Sequence, residues 1–238
     1  MILLSTDVSM LSSPSMDDPE QPHTRRAGKG RQERSVRTRK ALVRAAAEQF
    51  ERNGYERTRL NEVTSAAGVT SGALHFHFPN KQDLADVVEE TALHHLYQAA
   101  EKARPTDTSA LQTLIDTSHA LARTLHQDVI TRAGLRLNSD ATNRTCLNLH
   151  HTWQTYVQHT LTRAAAQGAL TRHTTPWELA QTITATTIGH ETLARTNKNW
   201  LTHHAITNLW HHLLHGTVTP ATLTQLHLNG THPARNQP

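Results

Sequence analysis

The stretch from Leu60 to Lys81, LNEVTSAAGVTSGALHFHFPNK, can fold in few ways. Leu60, Val63 and Ala67 share one side of a short helix over 60–67, with Thr58 just ahead as its expected cap. Gly68 then supplies the positive φ of a sharp turn, and Val69 is placed to plug it. A second helix is expected from Thr70 or Ser71 to about His77, burying Leu74 and Phe78, with Phe76 a further candidate. Pro79-Asn80 breaks the pattern. Two short helices across a tight turn form a helix-turn-helix, whose second helix can lie in a major groove. The outward side of that helix shows Thr70, Ser71, Gly72, Ala73, His75 and His77. Short side chains let the backbone approach base edges, hydroxyls can bond phosphates or bases, and a methyl can touch a thymine methyl. His75, His77 and Lys81 are placed for phosphates, and the helix N-terminus itself favours an anion. Packing economy alone would also account for a short Ser/Gly/Ala helix, so the choice rests on what precedes it.

Charge decides it. Residues 1–24 hold four acids and no Lys or Arg, whereas residues 25–59 hold twelve Lys or Arg against four acids. Half of the 24 basic residues of the chain thus sit in one short stretch. A cluster of that kind suits a polyanion, because each neutralised phosphate releases a counterion. Arg31, Arg34 and Arg37 are candidate contacts to the DNA backbone, and Thr58 another. A helix is expected from about Val36, capped by Ser35, to about Arg52, with Asn53-Gly54 ending it.

The remainder shows few alternating apolar runs and many i, i+3, i+4 series, so the fold class is all-α. Helices are expected from Asn80 to about Ala103, Ser109 to His126, 128–138, Leu149 to Gln167, from Pro176 through Leu193, Trp200 to His215, and Pro220 to Leu228. Residues 1–30 lack periodicity and are rich in Ser, Pro, Asp and Gly, and the C-terminal NGTHPARNQP is polar; both read as disordered. The expected division is a disordered tail over 1–30, a DNA-binding head over 31–80, a helical body over 81–230 and a tail over 231–238.

Other classes are disfavoured. The lone Cys146 permits no internal disulfide, no signal-peptide pattern opens the chain, and no run approaches a membrane span, so a cytoplasmic location is expected. No nucleophile elbow, phosphate loop, dinucleotide fingerprint or zincin motif appears, so no enzyme and no cofactor are expected. Nineteen histidines raise a metal-binding alternative, with doublets such as His94-His95 and the i, i+4 pair His211 and His215. They are scattered over several helices with no thiolate partner, so no metal site is assigned.

The stretch RKALVRAAAEQFERNGYERTRLNEVTSAAGVTSGALHFHFPNKQDL closely resembles the DNA-binding head of the TetR family of repressors, over about residues 37–86. The order is F-x-x-x-G-Y, T-x-x-x-E-V, A-G-V-T-x-G-A-L, then F-H-F-x-x-K-x-x-L. GALHFHFPNK and VITRAGLRLNSD are similar to segments of the γ-butyrolactone receptor subfamily of actinomycetes. Two residues depart from it: Ser71 stands where the subfamily usually has Lys, and His75 where it has Tyr.

The resemblance implies a homodimer that binds a pseudo-palindromic operator on double-stranded DNA and releases it when a small signalling molecule binds, with a role in regulating secondary metabolism such as antibiotic biosynthesis. It implies an interface from the last two helices, where Trp200, Ile206, Leu209, Trp210, Leu213 and Leu214 lie. It places Trp153 as the aromatic wall of a ligand pocket, with Tyr97 and Tyr156 as further candidates. Thr184, Thr187 and Glu191 lie near one stripe of the QTITATTIGHET helix, with Thr186 and His190 nearby, and a buried hydroxyl needs a partner that a ligand can supply. With Arg136 nearby, the expected ligand carries a hydroxyl, carbonyl or carboxylate, as butyrolactones, butenolides and furans do. A regulator of the same fold that answers an antibiotic is the alternative.

Overall fold

The computed structural model describes residues 22–104, 108–140 and 148–231. They are helical almost throughout, with one isolated antiparallel bridge between Leu170 and Val218. The chain divides after Arg37 into two units. The first contains the start of α1 (Pro22–Arg57), where Arg31, Arg34 and Arg37 are exposed. Ser35 lies inside this helix and does not cap it, and 22–30, expected as tail, are helical. Pro22 suits a helix start, and the following Arg, Gln and Glu are good helix formers that two glycines do not interrupt.

From Thr38 onward α1 buries Leu42, Val43, Ala46, Ala47 and Phe50, one face of the helix. Gly54 breaks it at φ +75°. Helices α2 (Leu60–Ala67) and α3 (Ser71–His77) follow, joined through Gly68 at φ +65°. A side chain at Gly68 would meet the steric penalty of the left-handed region. Helix α4 (Lys81–Lys102) is capped by Asn80, whose side chain accepts from the Asp83 amide.

The body follows as α5 (Ala110–Gln127), α6 (Val129–Asp140), α7 (Leu149–Ala166), α8 (Pro176–Ala194), a 3-10 turn (Lys198–Leu201), α9 (His203–Leu214) and α10 (Pro220–Gln225). Two cores result. One joins α1, α2, α3 and the first half of α4 to Val129, Ala133 and Leu137 of α6. The other fills the body, from Leu111 and Leu114 of α5 to Trp210 and Leu214 of α9.

Helix α6 explains its own sequence, ITRAGLRLN. A Cβ at Gly134 would lie 2.3 Å from the Ala92 Cβ, so glycine permits the close crossing of α4 and α6. Arg132 pairs with Glu51 of α1 and donates to the Leu125 and His126 carbonyls, 2.8 and 3.1 Å away, at the end of α5. Arg136 donates to the carbonyls of Glu51 and Arg52, just before the break at Gly54. Helix-end carbonyls lack intrahelical partners, and a guanidinium satisfies them.

The C-terminal segment is held by buried polar residues. Gln112, Asp116 and His119 lie one turn apart on α5, each at most 6% exposed. Gln112 exchanges two hydrogen bonds with the His227 backbone, at 2.8 and 3.1 Å. Asp116 accepts from the Thr231 amide and hydroxyl at 2.8 and 2.7 Å. His119 donates to the Leu228 carbonyl at 2.9 Å, and His203, stacked on it at 4.6 Å, donates to that of Asn229. Asn229 to Thr231, expected as part of a disordered tail, are therefore anchored, while 232–238 lie outside the described residues.

Candidate functional site

Two sites take shape in the second unit. The first is the outer side of α3. Thr70 caps the helix by accepting from the Ala73 amide at 3.2 Å, and Ser71, Gly72 and His75 are exposed beside it. His77 is half-buried, and His75 Nδ1 lies 3.3 Å from the Pro79 carbonyl. This surface is short, polar and open, as a helix that approaches base edges requires.

Three expectations about the head need correction. Phe76 is 80% exposed rather than buried, and its ring meets His77 edge-on. Leu74 and Phe78 fill the core beneath α3, which leaves Phe76 exposed on the outer side of that helix. Its position in a helix too short for clear periodicity concealed this. Thr58 is 2% exposed, and its hydroxyl donates to the Gly54 carbonyl at 2.8 Å. It neither faces DNA nor caps α2, whose N-cap is Arg59 without a side-chain hydrogen bond. Lys81 donates to the carbonyls of Glu56 and Thr58 at 3.2 and 3.0 Å and lies over the Tyr55 ring. It ties the start of α4 to the α1–α2 connection. Arg39 is engaged too, 5.3 Å over the Phe78 ring.

The second site is a cavity of about 90 Å³ in the body. Its wall is mainly apolar: Leu96 of α4, Leu121 and Leu125 of α5, Leu135 of α6, Leu149 of α7, and Ile188 of α8. Trp153 forms its aromatic face, and Trp153 Nε1 donates to the Thr187 hydroxyl at 2.7 Å. That hydroxyl in turn donates to the Ile183 carbonyl. Trp153 and Thr187 are therefore together on the wall, as expected from the sequence.

Other expected ligand residues lie elsewhere. Tyr156 stacks on Trp153 at 5.7 Å and shares a hydrogen bond with Thr117, supporting the wall from behind. Thr184 is buried, and its hydroxyl has no partner, yet it does not line the cavity. Tyr97 is 54% exposed, because Leu93 and Leu96 take the inward side of α4. Arg136 is a clamp on α1 and not a cavity residue. His150, His190 and Glu191, not assigned to the ligand from the sequence, line the cavity near Trp153. Glu191 shares the stripe of Thr187 that the spacing marks, whereas His150, one turn from Trp153 on α7, shows as a wall residue only once Trp153 and Thr187 are paired across α7 and α8.

The interface expectation also changes. Ile206, Leu209, Trp210 and Leu214 are at most 8% exposed within this single chain, and Trp210 Nε1 donates to Ser118 Oγ at 2.6 Å. The apolar side of α9 is core because α5 packs across it. Trp200 is exposed and lines a groove with Thr186, His190, Leu209 and Leu213, and Leu193 of α8 is exposed as well.

Among the described residues no three His, Cys, Asp or Glu side chains converge as a metal ion requires, and no helix is long and apolar enough to cross a membrane.

Residues 42–88 match the model for bacterial regulatory proteins of the tetR family. The chain is similar to the A-factor receptor protein of Streptomyces griseus, 27% identical over 206 residues that make up 84% of this chain and 71% of that protein. Its structure is similar to that of a gamma-butyrolactone receptor (ArpA-like protein), with a TM-score of 0.71 and 28% identity, covering 81% of this chain and 94% of the other. It is equally similar to CprB from Streptomyces coelicolor in complex with its biological operator sequence, with a TM-score of 0.70, 29% identity and coverage of 81% and 94%.

Proposed function

We propose that this chain, a TetR-type DNA-binding head on a body built like that of solved γ-butyrolactone receptors, is a ligand-responsive transcriptional repressor. It acts in the cytoplasm as a homodimer on a pseudo-palindromic operator and controls secondary metabolism. A small signal of the γ-butyrolactone, butenolide or furan type fills the cavity behind Trp153 and releases the DNA.

The observation that carries this reading is the position of α4. Leu84, Ala85 and Val88 belong to the head core, Leu93 packs on the body core, and Leu96 lines the cavity. A cavity of about 90 Å³ is smaller than the several hundred Å³ typical of ligand sites. A ligand that fills the enclosed part pushes its walls apart, Leu96 among them. Displacing Leu96 moves α4, and α6 moves with it through the close crossing at Gly134. Arg132 and Arg136 connect that motion to the end of the first head helix. In a dimer this alters the separation of the two α3 helices, and a ligand that favours the altered state shifts the population off the operator. Self-association is supported by two exposed apolar side chains, Leu193 of α8 at 46% and Trp200, which lines the α8–α9 groove, at 40%.

The test is an operator shift assay on the promoter of the protein's own gene, challenged with culture extract and with γ-butyrolactones. Trp153→Ala should bind operator within about twofold of wild type and lose release. Normal release by Trp153→Ala would overturn the cavity assignment. Release by an antibiotic and not by lactones or extract would establish the second ligand class, a reading that the Ser71 and His75 departures support.

A further inference from the structure

We infer that the cavity selects its ligand through a hydrogen bond to Nε2 of His150, and that the ligand is an uncharged amphiphile carrying a hydroxyl or carbonyl oxygen at that end. This deepens the proposed function and rests on its reading of the cavity as the ligand site.

The argument is one of remaining capacity. Among the buried side-chain polar atoms of the described wall, one lacks a hydrogen-bond partner. Thr187 Oγ1 accepts from Trp153 and donates to the Ile183 carbonyl. Ser118 Oγ accepts from Trp210 and donates to the Ile115 carbonyl. Glu191 is held by Arg195, at 3.2 and 3.3 Å, and His190 Nδ1 lies 2.8 Å from the Trp200 carbonyl. His150 Nε2 is buried and has no hydrogen-bond partner. A buried polar atom without a partner burdens the folded state, and a ligand oxygen removes that burden. Neutral imidazole can accept from a hydroxyl there or donate to a carbonyl, according to its tautomer.

The same surroundings exclude a charged ligand. Burial pushes the His150 imidazole below its ordinary value, against the pull of Glu191 and with the push of Arg195. His150 also sits in the first turn of α7, where the helix dipole disfavours a cation. Glu191 and Arg195 neutralise each other. No net charge on this wall is left to hold an ion, and the rest of the wall is apolar, so an ionised ligand would lose its hydration without recompense.

The proposal can be decided with two probes that do not depend on the lactone reading, cyclohexanol and cyclohexane. Each is titrated into the full-length wild type, His150→Leu and His150→Gln, with circular dichroism to confirm the fold. Cyclohexanol should bind wild type, His150→Leu should weaken it about tenfold, and His150→Gln should restore most of that loss. Cyclohexane affinity should change less than about twofold in either variant. Absence of cyclohexanol binding to wild type, or a loss equal for both probes, or no loss at all, would overturn the proposal. An acylated γ-butyrolactone forms the third arm. If it fails to bind while the cyclohexanol pattern holds, the lactone reading falls and the His150 assignment stands. If it binds wild type and His150→Leu equally, the His150 assignment falls and the lactone reading stands.

Discussion

At the residue scale, hydrogen-bond partners determine which side chains are free for function. Thr187 illustrates this, since its hydroxyl is the acceptor for the Trp153 indole. Thr187→Val removes that acceptor and leaves a half-buried N–H unpaired, at a cost of about 1–3 kcal/mol. A lower urea midpoint should accompany changed tryptophan emission, and an unaltered midpoint would show that the bond contributes nothing. Arg136→Ala should behave differently from a ligand-site substitution. It strips the Glu51 and Arg52 carbonyls of their donor, so stability and operator affinity should fall while ligand affinity stays within about twofold. A large drop in ligand affinity at unchanged stability would return Arg136 to the cavity. The sequence pattern places both residues near a ligand. One is there and the other is not, because periodicity gives the face of a helix but not the neighbour that the face meets.

At the scale of elements, the decisive packing is α4 against α6 and α5 against the C-terminal segment. Gly134→Ala puts a methyl 2.3 Å from the Ala92 Cβ, so one helix must shift. A loss of about 1–3 kcal/mol is expected, with weaker operator binding, and calorimetry beside an operator shift assay would measure both. Wild-type behaviour in both would disprove the tight crossing. The C-terminal segment should respond to acid. Burial holds His119 below the ordinary imidazole value; the Leu228 carbonyl and Asp116 pull it up, while His203 and Arg123 push it down. A histidine depressed in the folded state binds fewer protons there than when unfolded. Its contribution to stability is therefore complete above about pH 6.5 and is lost as pH falls through the lower folded value. The urea midpoint should drop between about pH 7.5 and about pH 5.5, and His119→Asn should flatten the drop. His150 shares the sign, so the slope is reduced rather than abolished. Asp128 acts further down: burial pushes its carboxyl up, and hydrogen bonds from Thr131, His95 and Ile130 outweigh this and lower it. Its contribution is present above about pH 3.9 and vanishes below that range.

At the scale of the whole molecule, the issue is how an electrostatic N-terminal segment and a helical body share one task. Arg31, Arg34 and Arg37 are exposed on the first part of α1 and carry no ion pair among the described residues. Removing residues 1–34 should weaken operator binding and reduce the salt slope by about one for each phosphate that is no longer neutralised. Binding measured across a salt series decides it, and an unchanged slope means that these residues do not touch DNA. The same truncation should leave ligand affinity unaltered, because the cavity lies wholly within the body.

The sequence by itself determined the local structure. Gly68 turned out left-handed, α2 spans the residues that its apolar spacing marked, and Asn80 caps α4. Each of these depends on backbone sterics or on spacing within one helix, and both are written in neighbouring residues. The all-α class and the open polar side of α3 were legible for the same reason. Tertiary structure alone decided which surfaces meet. It made Trp210 core instead of interface, Arg136 a clamp instead of a ligand contact, and His150 the polar atom left over on the cavity wall. Those outcomes depend on which helix packs across each apolar face, and on which donors reach which carbonyls between residues far apart in the chain. Helical periodicity is indifferent to both.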